Sequence, residues 1–349
     1  MRALIIRPCL GVIVSIVLLV GGCTTAPQNK TAAFGPRLES VSGELALYFI
    51  NVGQGDCTLV VFPNGKRLLV DCGTTNGAFS TSRVRSFIQS KLDPTDPKID
   101  LVVITHPDKD HYNKLAEVLG PVASPNIKVS KVMYTGAISE YDEDEVDDWL
   151  QDFPVSRRIV ITGQSYNKYP AKDLPGFAGS AVVLAANVTA TKSVSNARSI
   201  VIKITHGDFD AMITGDATSD TDKMLFSLYP GAKKEFLDVE LWKAAHHGSW
   251  STASQNSNWA SAVKPEVIVY SASNSNTYGH PNINLAEKFA SYTQAAPDHE
   301  ITFWDNKDTH SSSAKVLPYR TEAMYLTATN GDITIKSDGV TWDTSFTTP

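Results

Sequence analysis

Ile99-Asp100-Leu101-Val102-Val103-Ile104-Thr105-His106-Pro107-Asp108-Lys109-Asp110-His111 is the stretch on which the reading of this 349-residue chain turns. A predominantly apolar strand runs straight into a segment carrying two imidazoles and two carboxylates within six residues. Open α/β sheets gather their ligand groups beyond strand C-termini. Imidazole with carboxylate suits zinc, manganese or iron rather than calcium, and two His with two Asp can serve two ions.

Outward from this stretch, short apolar segments alternate with helical ones. Strands are expected at 45–52, 57–62, 67–72 and 101–104, and helices at 81–92 and 111–119. The second half repeats the habit, with strands at 199–204, 211–214, 239–244 and 267–271 and a helix at 284–292. Such alternation specifies a mixed α/β layer architecture. Further polar residues follow these strands: Asp216 after Met212-Ile213-Thr214-Gly215, His246 and His247 after Trp242-Lys243-Ala244-Ala245, and His280 in the loop after Val269-Tyr270-Ser271.

Asn64-Gly65 is the signature of a two-residue hairpin turn. Counting outward from it pairs Pro63 with Lys66 and sets Cys57 opposite Cys72, where a disulfide and two buried thiols both fit. A second Asn-Gly hairpin is expected over 323–336, and Asp338-Gly339 can start another. His206, His299 and His310 read as surface residues, and Trp242, Trp250, Trp259 and Trp304 as core or half-buried packing.

With 42 % hydrophobic residues the chain can bury a full core. Arg2 and Arg7 precede an apolar run from Leu10 to Val20 and then Val20-Gly21-Gly22-Cys23, the tripartite layout of a secretory signal. The run is too short to span a bilayer comfortably. Its end resembles a bacterial lipobox, which implies cleavage before Cys23 and lipid on that thiol. The expected organisation is a signal peptide at 1–22, a lipid-anchored polar tether at 23–43 and one folded domain at 44–349. Thr24 stands where the familiar inner-membrane retention signal has Asp, which points to the periplasmic face of the outer membrane. Without Arg2 and Arg7 the formal charge of −6 becomes about −8, a poor electrostatic footprint for duplex DNA. The acidic run 140–148 reads as a solvated helix start whose acids favour the positive end of the dipole.

Together, Asp71 in Leu68-Leu69-Val70-Asp71-Cys72-Gly73, the segment ending at His111, Thr214-Gly215-Asp216 and His246-His247-Gly248-Ser249 resemble, in order, the motifs of the metallo-β-lactamase superfamily. Asn51-Val52-Gly53-Gln54-Gly55-Asp56, Asp108 where the common motif has His, His-His-Gly-Ser, and Tyr278-Gly279-His280-Pro281 narrow the resemblance to the soluble hydrolase domain of the ComEC competence protein family. The resemblance covers roughly 44–340 and implies an αββα sandwich of two similar halves with mixed sheets. It also implies two divalent ions, zinc or manganese. His106 and Asp108 are expected on the first, Asp110 and His111 on the second, with Asp216 bridging. His246 is the favoured completing ligand, and His247 an outer-shell or phosphate contact. Asp71 is expected to support the metal loop, Asp56 to line the site, and Ser249 to offer a donor to substrate. The superfamily's further upstream His has no counterpart, since 166–199 contain none, so weak occupancy of the first site is expected. Asp108 makes that site harder and tilts it towards manganese.

Two such ions can share a hydroxide and stabilise a leaving group, with Asp110 and Asp216 in the catalytic set and His280 as proton donor. The expected reaction is cleavage of a small or single-stranded phosphodiester, nucleic acid or nucleotide. Hydrolysis of a lactam, lactone or other ester is the second reading. A lipoprotein that binds DNA or envelope components without turnover is the third.

Overall fold

Period-two alternation assigns the first strand's residues to two different cores. In β1 (Leu45–Phe49), Leu45, Leu47 and Phe49 enter one apolar cluster, while Ala46 and Tyr48 enter another. The computed structural model describes residues 42–347 apart from 77–78, 191, 251–256, 294–298, 306–315 and 322. The expected signal segment, Cys23, most of the tether and His310 lie outside the described residues.

The other strands are β2 (Thr58–Val61), β3 (Arg67–Val70), β4 (Lys98–Val103), β5 (Lys128–Thr135), β6 (Arg158–Ile161), β7 (Lys172–Asp173), β8 (Ala181–Ala185) and β9 (Val201–His206). They continue with β10 (Phe209–Ile213), β11 (Leu241–Lys243), β12 (Val267–Tyr270), β13 (His299–Trp304), β14 (Val316–Thr321), β15 (Met324–Leu326), β16 (Ile333–Ser337) and β17 (Trp342–Phe346). One large sheet runs β17-β16-β1-β2-β3-β4-β5-β6 and a second β15-β12-β11-β10-β9-β8-β7, while β13 and β14 pair with each other as a separate two-stranded sheet. Each large sheet combines antiparallel pairing with a parallel run: β3 to β6 in the first, and β10, β11, β12 and β15 in the second.

One core cluster takes side chains from both sheets, among them Leu47, Val60, Leu101, Ile202, Ala211 and Val269, so the sheets pack face to face. The opposite face of the first sheet meets Val84 and Ile88 of helix Thr81–Ser90 and Leu115 and Val118 of helix Leu115–Leu119. That of the second meets Leu225, Trp259, Leu285 and Phe289. The result is the αββα sandwich with mixed sheets. Its parallel strands end together at one edge, where the polar loops leave.

The structure corrects three local expectations. β2 and β3 pair Thr58 with Val70 and Val61 with Arg67, one residue away from the counted register. Phe62 N–H donates to Lys66 O and Gly65 N–H to Phe62 O, so Pro63-Asn64-Gly65 forms a three-residue loop with Gly65 left-handed. Pro63 causes this, because its fixed φ suits the second position of a type I turn. Cys57 and Cys72 are nonetheless neighbours, as buried free thiols; burial and the hydrogen bond with Cys72 push the Cys57 thiol up.

The expected 323–336 hairpin does not form. β15 pairs with β12 in one sheet and β16 with β1 in the other. Asn330 Oδ1 accepts from Leu326 N–H, so 327–330 closes a helical turn rather than a hairpin turn. The expected helix at 111–119 is broken into Lys109–Tyr112 and Leu115–Leu119. Lys114 N–H donates to Cys72 O, and Asn113 spends its side chain on Thr74. Asp338-Gly339 does join a hairpin, between β16 and β17. The acidic run opens helix Val146–Gln151, with Asp147 and Asp148 in its first turn.

Candidate metal centre

The strand-end loops are locked by buried polar contacts. Asp71, at the end of β3 and with a left-handed backbone (φ 60°), accepts from Thr105 N–H at 2.7 Å and Thr105 Oγ1 at 2.8 Å. Its Oδ2 also lies 2.9 Å from His111 Nδ1. A carboxylate accepting at Nδ1 puts the ring proton there and leaves Nε2 with its lone pair for an ion. Asp71 thus supports the His106–His111 loop from behind. On the other side, Asp56 N–H donates to Asp110 O and Gly73 N–H to Asp56 O, both at 3.0 Å. Gly55 permits this approach, since a Cβ there would fall 2.2 Å from Gly73 O and 2.7 Å from Asp110 O.

From the second sheet, Asp216 follows β10, and its N–H donates to Ser199 Oγ at 2.9 Å. His246 N–H donates to Gly215 O at 3.0 Å, which ties the His-His loop to the Asp216 turn. His246 and His247 both have left-handed backbones (φ 49° and 54°). His247 Nδ1 lies 2.7 Å from Ser271 O, so this ring too turns Nε2 inward.

The inward atoms converge on Asp216. His111 Nε2 is 3.1 Å from Oδ1, and His247 Nε2 and His106 Nε2 are 3.6 and 3.9 Å from Oδ2. His247 Nε2 also lies 3.2 Å from Asp110 Oδ2. Among the described residues, Nε2 of His106, His111 and His247 and Oδ1 of Asp216 are buried without a hydrogen bond. Buried polar atoms rarely stay orphaned. Two ligand atoms about 2.0–2.1 Å from one tetrahedral ion stand roughly 3.3 Å apart. The separations of 3.1 and 3.2 Å match that value, so the donor set fits a divalent cation. Asp56, His111, Asp216 and His247 form one buried group whose candidate ligand atoms all lie within 4.8 Å of one another.

A second set flanks the first. Asp108 Oδ2 is 3.4 Å from His106 Nε2 and accepts from Ser195 Oγ at 3.2 Å. His246 Nε2 is 3.6 Å from Asp216 Oδ2, and the ring rests on Asn196 Nδ2. His280 is buried in the next loop with its ring 5.2 Å from that of His246. Asn276 Oδ1 accepts from the N–H groups of Tyr278 and His280 and fixes that loop. Ser249 is buried, and its N–H donates to His246 O at 2.8 Å.

All the sequence-expected site residues within the fold therefore meet at one sheet edge, and of the adjacent histidines it is His247, rather than the favoured His246, that stands in the buried group. His247 is 2 % exposed and belongs to the buried four-residue group, whereas His246 is 21 % exposed and leans on Asn196. Consecutive left-handed residues point their side chains apart, and sequence position does not say which turns inward. Three residues were missed. Lys243, inside β11, buries its ammonium against Asp56 Oδ2. Gln54 accepts from Ser273 N–H at 3.1 Å, and Asn276 holds the His280 loop. A lysine in the otherwise apolar 241–245 segment was the available signal. His206 and His299, expected on the surface, instead bond Gly43 O and Met324 O at 2.9 Å, and His206 is buried.

Neighbouring charges outweigh burial at most of these groups. Burial opposes the charge on Asp216, yet His111, His247 and His246 outweigh it and hold the carboxyl well below its usual range. Burial likewise opposes charge on Asp110, and the neighbouring His247 and His111 overcome it. Burial pushes His111 down, but Asp216 and Asp71 lift it well above the ordinary imidazole range. Asp216 and Asp110 lift His247 in the same way against its burial. Burial lowers His246 to about 4, partly opposed by Asp216. Protons hold together a cluster that an ion can hold instead.

The family model described as the metallo-beta-lactamase superfamily matches residues 50–272, well over half of the chain. ComE operon protein 3 of Bacillus subtilis is 26 % identical over 255 residues, covering 69 % of this chain and 30 % of that protein. Recombination protein 2 of Haemophilus influenzae is 21 % identical over 286 residues, covering 79 % of this chain and 31 % of that protein. The chain thus spans under a third of the length of either curated relative. Among solved structures, a diphosphatase of the PhnP family superposes with a TM-score of 0.36 at 18 % identity, over 65 % of this chain and 86 % of that one.

Proposed function

Because the chain belongs to the metallo-β-lactamase superfamily, we propose that it is a metal-dependent hydrolase, ComEC-like in its site, that cleaves a small or single-stranded phosphodiester. The observation that carries the reading is the convergence of three orphaned imidazole Nε2 atoms on the two oxygens of buried Asp216. His111, His247 and Asp110 would hold one ion and His106 and Asp108 the other, with Asp216 in reach of both sets. His246, 3.6 Å from Asp216 Oδ2, supplements the short ligand set of the first ion. Zinc and manganese both suit these donors.

Bound there, two divalent ions supply Lewis-acid charge and a water of lowered pKa. The chain's own residues do the rest. Asp71 and Ser271 O fix the ring orientations of His111 and His247, so that neither reorganises during turnover. His280, pinned through Asn276 beside His246, holds a proton for the leaving oxygen. Ser249 and the half-exposed Tyr278 flank this entrance as contacts for an anionic substrate. The acidic overall balance disfavours duplex DNA and favours a substrate with few phosphates.

The leader and Val20-Gly21-Gly22-Cys23 support anchoring by lipid on Cys23, at the periplasmic face of the outer membrane. Mass spectrometry of membrane-associated protein should find diacylglycerol on Cys23 and nothing before it. Recovery of protein still beginning at Met1 from its native host contradicts the anchor.

The function is tested by giving manganese- or zinc-loaded protein a panel of single-stranded oligonucleotides, simple phosphodiesters, lactams and lactones. Phosphodiester turnover that disappears in Asp216→Ala is expected. Hydrolysis of a lactam or lactone alone, also lost in Asp216→Ala, overturns the phosphodiester reading in favour of an acyl hydrolase.

A further inference from the structure

The ion pair between Lys243 and Asp56 is almost completely buried at the centre of the molecule. Lys243 Nζ meets Asp56 Oδ2 and lies 3.5 Å from Gly215 O, and both side chains are at most 3 % exposed. Lys243 comes from β11 of the second sheet, and Asp56 from the loop after β1 of the first. The pair therefore bridges the two halves beneath the candidate ligands. Asp56 is close enough to His111 and His247 to group with them as a ligand. Its orientation argues otherwise. Asp56 Oδ2 approaches both rings at Nδ1, 3.6 Å from His111 and 3.9 Å from His247, whereas Asp216 and Asp110 approach the same rings at Nε2. Asp56 Oδ2 thus stands behind the rings, on the side away from the convergence of Nε2 atoms, and is paired with an ammonium, while Oδ1 is buried without a hydrogen bond.

Resting on the metal reading above, we propose that Asp56 is not a metal ligand and that Lys243 and Asp56 are positioning residues. Together they form a charge-matched strut that packs behind His111 and His247, whose Nδ1 atoms Asp71 and Ser271 O already hold, and keeps the Asp56 carboxylate from swinging onto the ion. Through Asp56 N–H to Asp110 O and Lys243 Nζ to Gly215 O, the same pair also touches the loops carrying Asp110 and Asp216. Breaking a buried pair from one side leaves an uncompensated charge, whereas replacing both partners by neutral groups of similar volume is tolerated.

The test is cobalt(II) or manganese titration of the full chain with Lys243→Met, Asp56→Asn and the double variant, read as ions bound per chain, affinity by chelator competition and cobalt absorption. Lys243→Met should weaken binding by about 10-fold or more, as loss of an outer support does. Lys243→Met with Asp56→Asn should recover to within about threefold, with the wild-type stoichiometry and an unchanged spectrum. If Asp56 is instead a ligand, Asp56→Asn and the double variant both lose an ion or change the cobalt spectrum, while Lys243→Met binds at least as tightly; that result overturns the proposal. Should Lys243→Met fail to fold, the double variant decides alone on the same criteria. Wild-type protein that binds no ion would instead refute the metal reading itself, a distinct outcome.

Discussion

Asp71→Asn isolates the support of His111 from the rest of the site. In the structure one carboxylate accepts three hydrogen bonds: Thr105 N–H into Oδ1 at 2.7 Å, and Thr105 Oγ1 and His111 Nδ1 into Oδ2 at 2.8 and 2.9 Å. Asparagine keeps the shape and one acceptor, so the bond from Thr105 N–H survives. Its amide nitrogen cannot accept, and it faces the His111 Nδ1 proton donor to donor. A hydrogen bond to a charged group contributes about 1.5–3 kcal/mol. At roughly 1.4 kcal/mol per decade, losing the His111 bond should weaken ion binding by about 10- to 100-fold. The ring can escape the clash only by moving its proton to Nε2, the atom facing Asp216 3.1 Å away, which has the same consequence for an ion. Competition against a chelator, with thermal unfolding of metal-free protein as a control for folding, measures the effect. Asp71→Asn that folds and binds within about threefold of wild type would refute the tautomer argument.

Other outcomes follow from the same contacts. Gly55→Ala drives a Cβ into Gly73 O and Asp110 O and should cost about 2 kcal/mol or more, read as a lowered denaturation midpoint; an unchanged midpoint would mean that the loop relaxes freely. His280→Ala should slow turnover by about 10²-fold while leaving the ion count intact, and loss of an ion would reassign it as a ligand. Cys57 and Cys72 should both react with a thiol reagent after unfolding without reductant and neither before, because both are buried thiols; failure to label in the unfolded protein would reveal a bridge. The raised pKa of His111 contributes stability to ion-free protein that is complete below about pH 6.5 and is lost as pH rises through the folded value. Ion binding needs the same nitrogen deprotonated. Both effects act together, so stabilisation by added zinc or manganese should be larger at about pH 8 than at about pH 6, and the reverse order would contradict the assigned ligands.

Most of the architecture is legible in the sequence because its signals are local. The apolar strands alternate or run unbroken according to whether one face or both are buried, and the polar loops follow them directly, as His106–His111 follows β4. The errors arise where a distant partner decides. Asn64-Gly65 reads as a two-residue turn until Pro63 makes a three-residue one, and a single step moves Cys57 out of register with Cys72. Asn330-Gly331 reads as a hairpin, yet β1 and β12 lie in different sheets and each claims one of the flanking strands. Lys243 looks like an ordinary strand residue until Asp56 arrives from the other half to neutralise it. The choice between His246 and His247 depends on Ser271 O, which fixes one ring and not the other.

Elemental analysis of the wild-type chain, loaded with manganese or zinc and dialysed, tests the central claim most directly. The geometry around Asp216 predicts retained metal, rising to two ions per chain at saturation and falling in Asp216→Ala and in Asp110→Ala with His111→Ala. A folded wild-type chain that retains no ion under any loading condition contradicts the claim.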